Sequence, residues 1–352
     1  MLDINSSDIK KFHKMLSESS ETVIVTHMKP DGDALGSSLA MYSFIVRYGS
    51  KAKVVLPHRH AANLDFIIPP QAAQDIIIHE EQPSEAINAI SEGKLIICLD
   101  FNAFHRTDKL ETALASSKAP KVLIDHHLNP DRECFEVIFS QTEVSSASEL
   151  LFHVLMKMPQ TEGDSGKLPG EALNALMTGM TTDTNNFANS VFPSTLQMAS
   201  SLIEAGADRD MILANLYNRF SESRLRLLGL MLKDLMKVTD YGVAYIVLDK
   251  ETLQKYNVIE GDTEGFVNMP LSIDSVRMSL LLKEDDDRIR VSIRSKKGTS
   301  ANLCARRYFN GGGHENAAGG RLNVPEDIMD ISQAGAYIER NTYRFITEEN
   351  EE

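Results

Sequence analysis

Short apolar runs alternate with longer stretches of helical period through the first half of the chain. ETVIVTH, KAKVVLP, KLIICLD and KVLIDHH read as strands, because each carries an unbroken apolar core between polar flanks. Residues 6–20 read as an amphipathic helix capped by Ser6 or Ser7. Residues 34–48 read as a second helix, closed by Gly49. Residues 60–90 mix short loops with the helix SEAINAI. SSASELLFHVLMK is a helix in which Ser146 and Glu149 fit a capping box, TEGDSGKLPG is a loop, and EALNALMTGMTTDT is a helix running into Asp183. Strands alternating with helices predict an α/β fold with a parallel sheet.

Past Asp183 the pattern changes. TLQMASSLIEAG and RDMILANLYNRF read as helices, and ESRLRLLGLMLKDLMKV as a longer helix joining two domains, with Met231 and Met236 as core packing. From Tyr241 the character is α+β. GVAYIVL, VRMSLLLKE and DRIRVSIRS are strands, ANLCARRYF is a helix leading into GGGHENAAGG, and a terminal strand and helix follow. Glu284, Asp285, Asp286 and Asp287 read as an acidic hairpin turn, and the tail EENEE as disordered. The expected layout is a first domain over 1–220, a helical connector over 221–240 and a smaller α+β domain over 241–345.

Composition narrows the function. A net charge of −14 with no Trp argues against a protein that coats long duplex nucleic acid or stacks many bases. It leaves room for a short anionic ligand held by local cations. No apolar run is long enough to span a membrane, and the polar N-terminus lacks a signal-peptide core, so a cytoplasmic protein is expected. Cys98, Cys134 and Cys304 are scattered and form neither a disulfide framework nor a zinc signature; Cys98 sits in a core strand.

The chemistry-bearing residues gather at strand ends. His27, Asp100 and the run Asp125-His126-His127 each lie at the carboxyl end of a predicted strand, the edge where ligands bind in open α/β sheets. Asp31 and Asp33 follow His27, and Asp183 ends a helix. One aspartate after a strand is as a rule a cap or turn former. His27, Asp31, Asp33, Asp100, His126 and Asp183 together are a ligand set for Mn²⁺, Mg²⁺ or Fe²⁺, and the four aspartates suffice for two divalent ions if one carboxylate bridges.

His127 can then reach a substrate, as general acid or phosphate contact, or else support its neighbours, while Asp125 orients an imidazole. Arg106 either pairs with a phosphate from the loop after Asp100 or is solvated; His105 is given a surface or helix-end place. In the second domain, Gly312, Gly313 and His314 with Arg294 suggest a phosphate clamp, with Glu315-Asn316-Ala317-Ala318 starting a helix behind it.

HMKPDGDALGS, ICLDFNAFHR, IDHH and GMTTDTNNF occur in the order of the four motifs of the DHH phosphoesterase superfamily, and VSIRS with GGGHENAAGG resembles the DHH-associated domain. The resemblance runs from about Thr22 to about Leu322, and the layout is most similar to the bifunctional oligoribonuclease and pAp phosphatase (nanoRNase) subgroup. It implies that His27, Asp31 and Asp100 bind one metal and that Asp33, Asp100, His126 and Asp183 bind the other, with Asp100 bridging. His127, with Asp33 and Asp100, would form the catalytic set. Arg294 and the loop from Gly311 to His314 would hold the nucleotide. The family usually depends on Mn²⁺.

The activity expected from this is metal-activated attack of water on phosphorus, cutting short single-stranded RNA or DNA to mononucleotides and pAp to AMP, with pApA as a further substrate. The alternatives are a hydrolase of one small phosphate compound, a cyclic-dinucleotide phosphodiesterase, a pyrophosphatase-like enzyme and an inactive nucleotide-binding regulator. The GGGH loop counts against the pyrophosphatase branch. The filled ligand positions count against the regulator. Arg306 and Arg307 give the approach to the loop an unusually polar character, which bears on substrate length. No membrane partner is expected, and a homodimer is compatible with the sequence.

Overall fold

The computed structural model describes residue 2 and residues 4–259, 261–285 and 288–349. They form two compact units, Met1–Arg219 and Phe220–Glu352.

The first unit runs α1 (Ser6–Glu18), β1 (Glu21–Val25), α2 (Gly32–Arg47), β2 (Lys51–Leu56), β3 (Ile76–Ile78), α3 (Pro83–Glu92), β4 (Leu95–Leu99), α4 (Glu111–Ser116), β5 (Lys121–Asp125), β6 (Val137–Ser140), α5 (Ala147–Met156), α6 (Gly170–Asp183), α7 (Pro193–Glu204) and α8 (Arg209–Tyr217). Its sheet has the order β3-β2-β1-β4-β5-β6, and every pair is parallel. The short strands β3 and β6, unseen in the apolar pattern, extend the four expected strands on either side. Successive residues of one strand serve opposite faces. Ile24, Ile97 and Ile124 pack with Leu39 and Phe44 of α2 and Leu151 of α5. Val23, Val25, Ile96 and Leu123 pack with Ala86 and Ile90 of α3 and Leu114 of α4. Covering both faces is why these strands read as unbroken apolar runs.

The strand order reverses between β1 and β4. In this architecture the crevice for ligands opens at the carboxyl ends of the two strands flanking such a reversal. His27 lies two residues past β1, and Asp100 immediately follows β4.

Two expected caps are corrected. Asn5, not Ser6 or Ser7, caps α1: its side-chain oxygen accepts the Ser7 N–H at 2.9 Å, and both serines lie inside the first turn. At α5 the Ser146 hydroxyl oxygen accepts the Glu149 N–H at 3.0 Å, but the Glu149 carboxylate reaches past Ser146 to accept the Ser145 N–H at 2.8 Å. The box is thus closed one residue early.

The second unit runs α9 (Glu222–Leu230), β7 (Lys237–Val238), β8 (Val243–Leu248), α10 (Lys250–Lys255), β9 (Met278–Glu284), β10 (Arg288–Ser295), α11 (Ala301–Tyr308), β11 (Gly312–His314), β12 (Ala317–Asn323) and α12 (Ala334–Glu349). Its sheet has the order β11-β12-β10-β9-β8-β7; among the described residues only β8 and β9 pair in parallel. The long helix expected over ESRLRLLGLMLKDLMKV is broken. It leaves helical geometry after a π turn at Met231–Leu235 and enters β7. Leu227 and Met231 are buried against Ile246, Leu248, Phe266 and Leu281, so this segment is built into the second unit's core, with Met236 packed beside it.

The GGGHENAAGG stretch is also corrected. No helix starts at Glu315; the segment is the hairpin of β11 and β12, with Gly312 opposite Gly319 and His314 opposite Ala317. Gly311 is required by close chain approach, since a Cβ there would stand 2.0 Å from the Gly319 carbonyl oxygen. In the acidic turn, Glu284 ends β9 and the Asp285 N–H donates to the Arg288 carbonyl at 2.8 Å, while Asp286 and Asp287 lie outside the described residues. The first two residues of the EENEE tail, Glu348 and Glu349, belong to α12, and the last three lie outside the described residues. No helix among the described residues is long and apolar enough to cross a membrane.

Candidate metal centre

The ends of β1 and β4 are tied by the Thr26 hydroxyl, which donates to the Leu99 carbonyl at 2.9 Å. The next residue, His27, is buried, and its Nδ1 lies 2.8 Å from the Met28 carbonyl oxygen. A carbonyl only accepts, so Nδ1 carries the hydrogen and a neutral ring keeps its lone pair on Nε2. Nε2 faces carboxylates: Asp100 Oδ2 at 3.3 Å and Asp31 Oδ1 at 3.8 Å. A lone pair aimed at two anions needs a cation between them, a proton or a metal.

Asp31 caps α2, its Oδ1 accepting the Asp33 and Ala34 N–H groups, each at 3.1 Å. Asp33, in the first turn of α2, is fully buried. Its two oxygens accept the Ala147 and Ser148 N–H groups at 2.6 and 2.9 Å, so it sits on the N-terminus of α5.

Asp100 is buried and holds a left-handed backbone, φ 62°. Non-glycine residues in that region cluster at functional sites. Its Oδ2 faces His27 at 3.3 Å, and its Oδ1 faces His126 Nε2 at 3.4 Å. Oδ1 is buried without a hydrogen-bond partner among the described residues. His126 Nε2 also stands 3.4 Å from Asp183 Oδ2, at the end of α6. His127 is held by Asp125: Nδ1 lies 2.7 Å from Oδ1, and the backbone N–H donates to Oδ2 at 3.1 Å.

The protonation pattern reflects crowded negative charge. Burial, and after it the charge of Asp100, pushes Asp183 up to about 7. Asp33 is pushed well up for the same reasons, with Asp183 adding to them. Burial opposes the charged forms of Asp100 and His126, yet His126 and His27 together hold Asp100 at about 2, and Asp100 with the charges of Asp33 and Asp183 lifts His126 to about 9. Protons are thus retained where cations are wanted, and metal uptake would release them.

The donor set fits divalent metal. His27, Asp31 and Asp100 bring ligand atoms within 4.8 Å of one another; Asp33, His126 and Asp183 do the same, as do Asp100, His126 and His127. All donors are imidazole nitrogen or carboxylate oxygen, and the two Asp100 oxygens face the two sides. All six residues singled out as metal ligands are therefore brought to one edge of one sheet.

Arg106 lies in the 3-10 turn Phe104–Leu110 after β4, and its carbonyl accepts the Met28 N–H at 2.7 Å. His105, beside it, is exposed. Arg294 is half-buried on β10; its Nη1 donates to the Ile293 and Ala318 carbonyls at 2.9 and 3.4 Å. The Gly313 N–H donates to Asn302 Oδ1 at 3.0 Å, Gly312 is half-buried, and His314 is exposed. Sequence reasoning missed what supports Asp33, namely the amides of Ala147 and Ser148 and the space left by Gly179. The available signal was a lone glycine inside the apolar helix MTGMTT.

Residues 21–180 match the DHH family N-terminal domain and residues 240–337 the DHHA1 domain. The chain is 26% identical over 310 residues to the bifunctional oligoribonuclease and PAP phosphatase NrnA of Bacillus subtilis, covering 86% of this chain and 90% of that one. It is 28% identical to a probable NrnA of Streptococcus mutans, covering 89% and 93%. Among solved structures, an exopolyphosphatase-related protein from Bacteroides fragilis is 36% identical, covers 99% of each chain and superposes with a TM-score of 0.87. The motif order, the ligand cluster at the strand reversal and these matches agree: the chain belongs to the DHH family, carries a DHHA1 domain after its DHH domain, and is a metal-dependent hydrolase.

Proposed function

We propose that the protein hydrolyses short single-stranded oligonucleotides to mononucleotides and pAp to AMP. The observation that carries a two-metal reading is Asp100, whose oxygens face His27 on one side and His126 on the other while Oδ1 has no hydrogen-bond partner among the described residues. The nucleotide substrates are suggested by relatives named for oligoribonuclease and PAP phosphatase activity.

In this reading His27, Asp31 and Asp100 hold one divalent cation, and Asp33, Asp100, His126 and Asp183 hold the other, with Mn²⁺ the proposed ion. Two such cations supply charge neutralisation at phosphate and a lowered pKa for water. Asp125 fixes the Nδ1–H of His127, so Nε2 is the nitrogen left to contact the scissile phosphate or pass a proton to the leaving oxygen. Arg106 pairs with phosphate from the loop after β4. Arg294, with the Gly312-Gly313-His314 strand, binds the nucleotide, which makes the first unit catalytic and the second substrate-binding. A cytoplasmic place is part of the same proposal.

The test is a product time course with Mn²⁺ on an end-labelled short RNA, run beside pAp, pyrophosphate and short-chain polyphosphate. Stepwise release of mononucleotides and conversion of pAp to AMP are expected. Turnover of pyrophosphate or polyphosphate with neither nucleotide substrate cut would overturn the proposal.

A further inference from the structure

The peptide group between Met28 and Lys29 holds an imidazole at each end. Its carbonyl oxygen lies 2.8 Å from His27 Nδ1, and its N–H donates to His58 Nδ1 at 3.2 Å. Neither contact leaves the ring tautomer open. A carbonyl only accepts, so His27 Nδ1 carries a hydrogen; an amide N–H only donates, so His58 Nδ1 carries a lone pair. The hydrogen of His58 is then on Nε2, which faces Asp108 Oδ2 at 3.4 Å. The groups line up in one direction, from the His27 donor through the peptide to His58, whose Nε2 faces a carboxylate.

We propose that His58 and Asp108 are positioning residues for His27. This rests on the metal-binding reading of His27. A donor chain ending on a carboxylate polarises each link. A histidine ligand whose other nitrogen donates into such a chain is both oriented and made more basic. The chain therefore aims His27 Nε2 at Asp31 and Asp100 and enriches it in electron density.

Two further observations support this. Lys29, which supplies the middle link, and Asp108, at the far end, hold positive φ values of 53° and 51°, which persist in non-glycine residues only when surrounding contacts over-determine them. The 3-10 turn that carries Asp108 also grips the His27 loop a second time, through the Arg106 carbonyl and the Met28 N–H at 2.7 Å. His58 itself comes two residues after β2, the strand paired in register with β1, so its place beside the His27 turn is set by the sheet.

The test is equilibrium dialysis with MnCl₂ on the full chain and on His58→Gln, His58→Asn and Asp108→Asn, with metal-free thermal melts of each. Asparagine places an oxygen near the position of Nδ1 and keeps an acceptor for the Lys29 N–H; glutamine does not. The wild type is expected to bind two Mn²⁺. His58→Gln should weaken one of them about tenfold or more and leave the other unchanged. His58→Asn should recover most of that loss, and Asp108→Asn should weaken the same ion to a smaller degree. Melting of the metal-free variants should match the wild type. If His58→Gln fails to fold, the comparison of Asp108→Asn with wild type decides. Two Mn²⁺ bound with wild-type affinity by His58→Gln, or by Asp108→Asn where it decides, would overturn the positioning role alone, as would equal losses in His58→Gln and His58→Asn. A wild type that binds no Mn²⁺ would overturn the metal-binding reading, and this proposal with it.

Discussion

Gly179, inside α6, lies directly against the carboxylate of Asp33. A Cβ at 179 would stand 2.8 Å from Asp33 Oδ1 and 2.0 Å from the Ser148 hydroxyl oxygen. Three helices converge at this point, since Asp33 belongs to α2 and accepts backbone N–H groups from the start of α5. Packing and chemistry are therefore one constraint here: the space that lets α6 approach is the space the carboxylate occupies.

Gly179→Ala sets two effects against each other. Alanine favours a helix interior by about 1 kcal/mol over glycine. Overpacking a filled core costs about 1–3 kcal/mol, and here the clash falls on a backbone-anchored carboxylate. Net destabilisation in urea melts is expected, with loss of Mn²⁺-dependent hydrolysis. A variant at least as stable and as active as wild type would show that the contact is slack.

Asp31 and Asp33 stand two residues apart but are assigned to different cations. Asp31→Ala removes a cap as well as a ligand and should cost about 1 kcal/mol of stability. Asp31→Asn keeps the cap and removes the charge, so it separates the two effects. Metal analysis should show one ion depleted by either Asp31 substitution and the other by Asp33→Ala. Depletion of the same ion by both would break the assignment.

Much of this site is readable before any coordinates. The ends of β1, β4 and β5 carry His27, Asp100 and Asp125-His126-His127, and a parallel sheet must deliver strand ends to one edge. What the pattern conceals is support that comes from backbone or from empty space. The amides holding Asp33 belong to Ala147 and Ser148, whose side chains announce nothing. The hairpin over residues 312–323 has no alternating apolar residues to mark it, so its glycines read as a loop before a helix. The short strands β3 and β6 expose too little period to separate from loops. The apolar residues of ESRLRLLGLMLKDLMKV suit a helix throughout, but packing of Met231 into the second unit and entry into β7 end it early.

Glu149 links pH to stability away from the metal ligands. Burial alone would raise its pKa; His153 beside it, with the hydroxyls of Ser145, Ser194 and Thr195, more than reverses this and holds it at about 2, against an ordinary 4.5. A depressed carboxylate contributes stability above its unfolded pKa and loses it as pH falls through the folded value. The window is therefore from about 4.5 down to about 2, with a contribution on the order of 3 kcal/mol. Urea melts across this range should show wild type losing more stability than Glu149→Gln. Parallel pH dependences of the two proteins would refute the assignment.

The proposed role of Arg294 allows substrate binding to be tested apart from chemistry. Only Nη1 donates to described residues, to the carbonyls of Ile293 and Ala318, so the other N–H groups of the guanidinium have no partner among them. Burial also pulls its pKa below the usual arginine value. If it grips nucleotide phosphate equally in ground and transition states, its removal costs uniform binding and leaves the chemical step alone. Arg294→Ala should then raise KM for pAp about tenfold or more at nearly unchanged kcat, with loss of a charge-assisted bond of about 1.5–3 kcal/mol. Arg294→Lys should recover part of the loss, because lysine keeps the charge but not the fork of donors. Steady-state kinetics on pAp in Mn²⁺ decides: a fall in kcat at constant KM would move Arg294 from holding the substrate to stabilising the transition state.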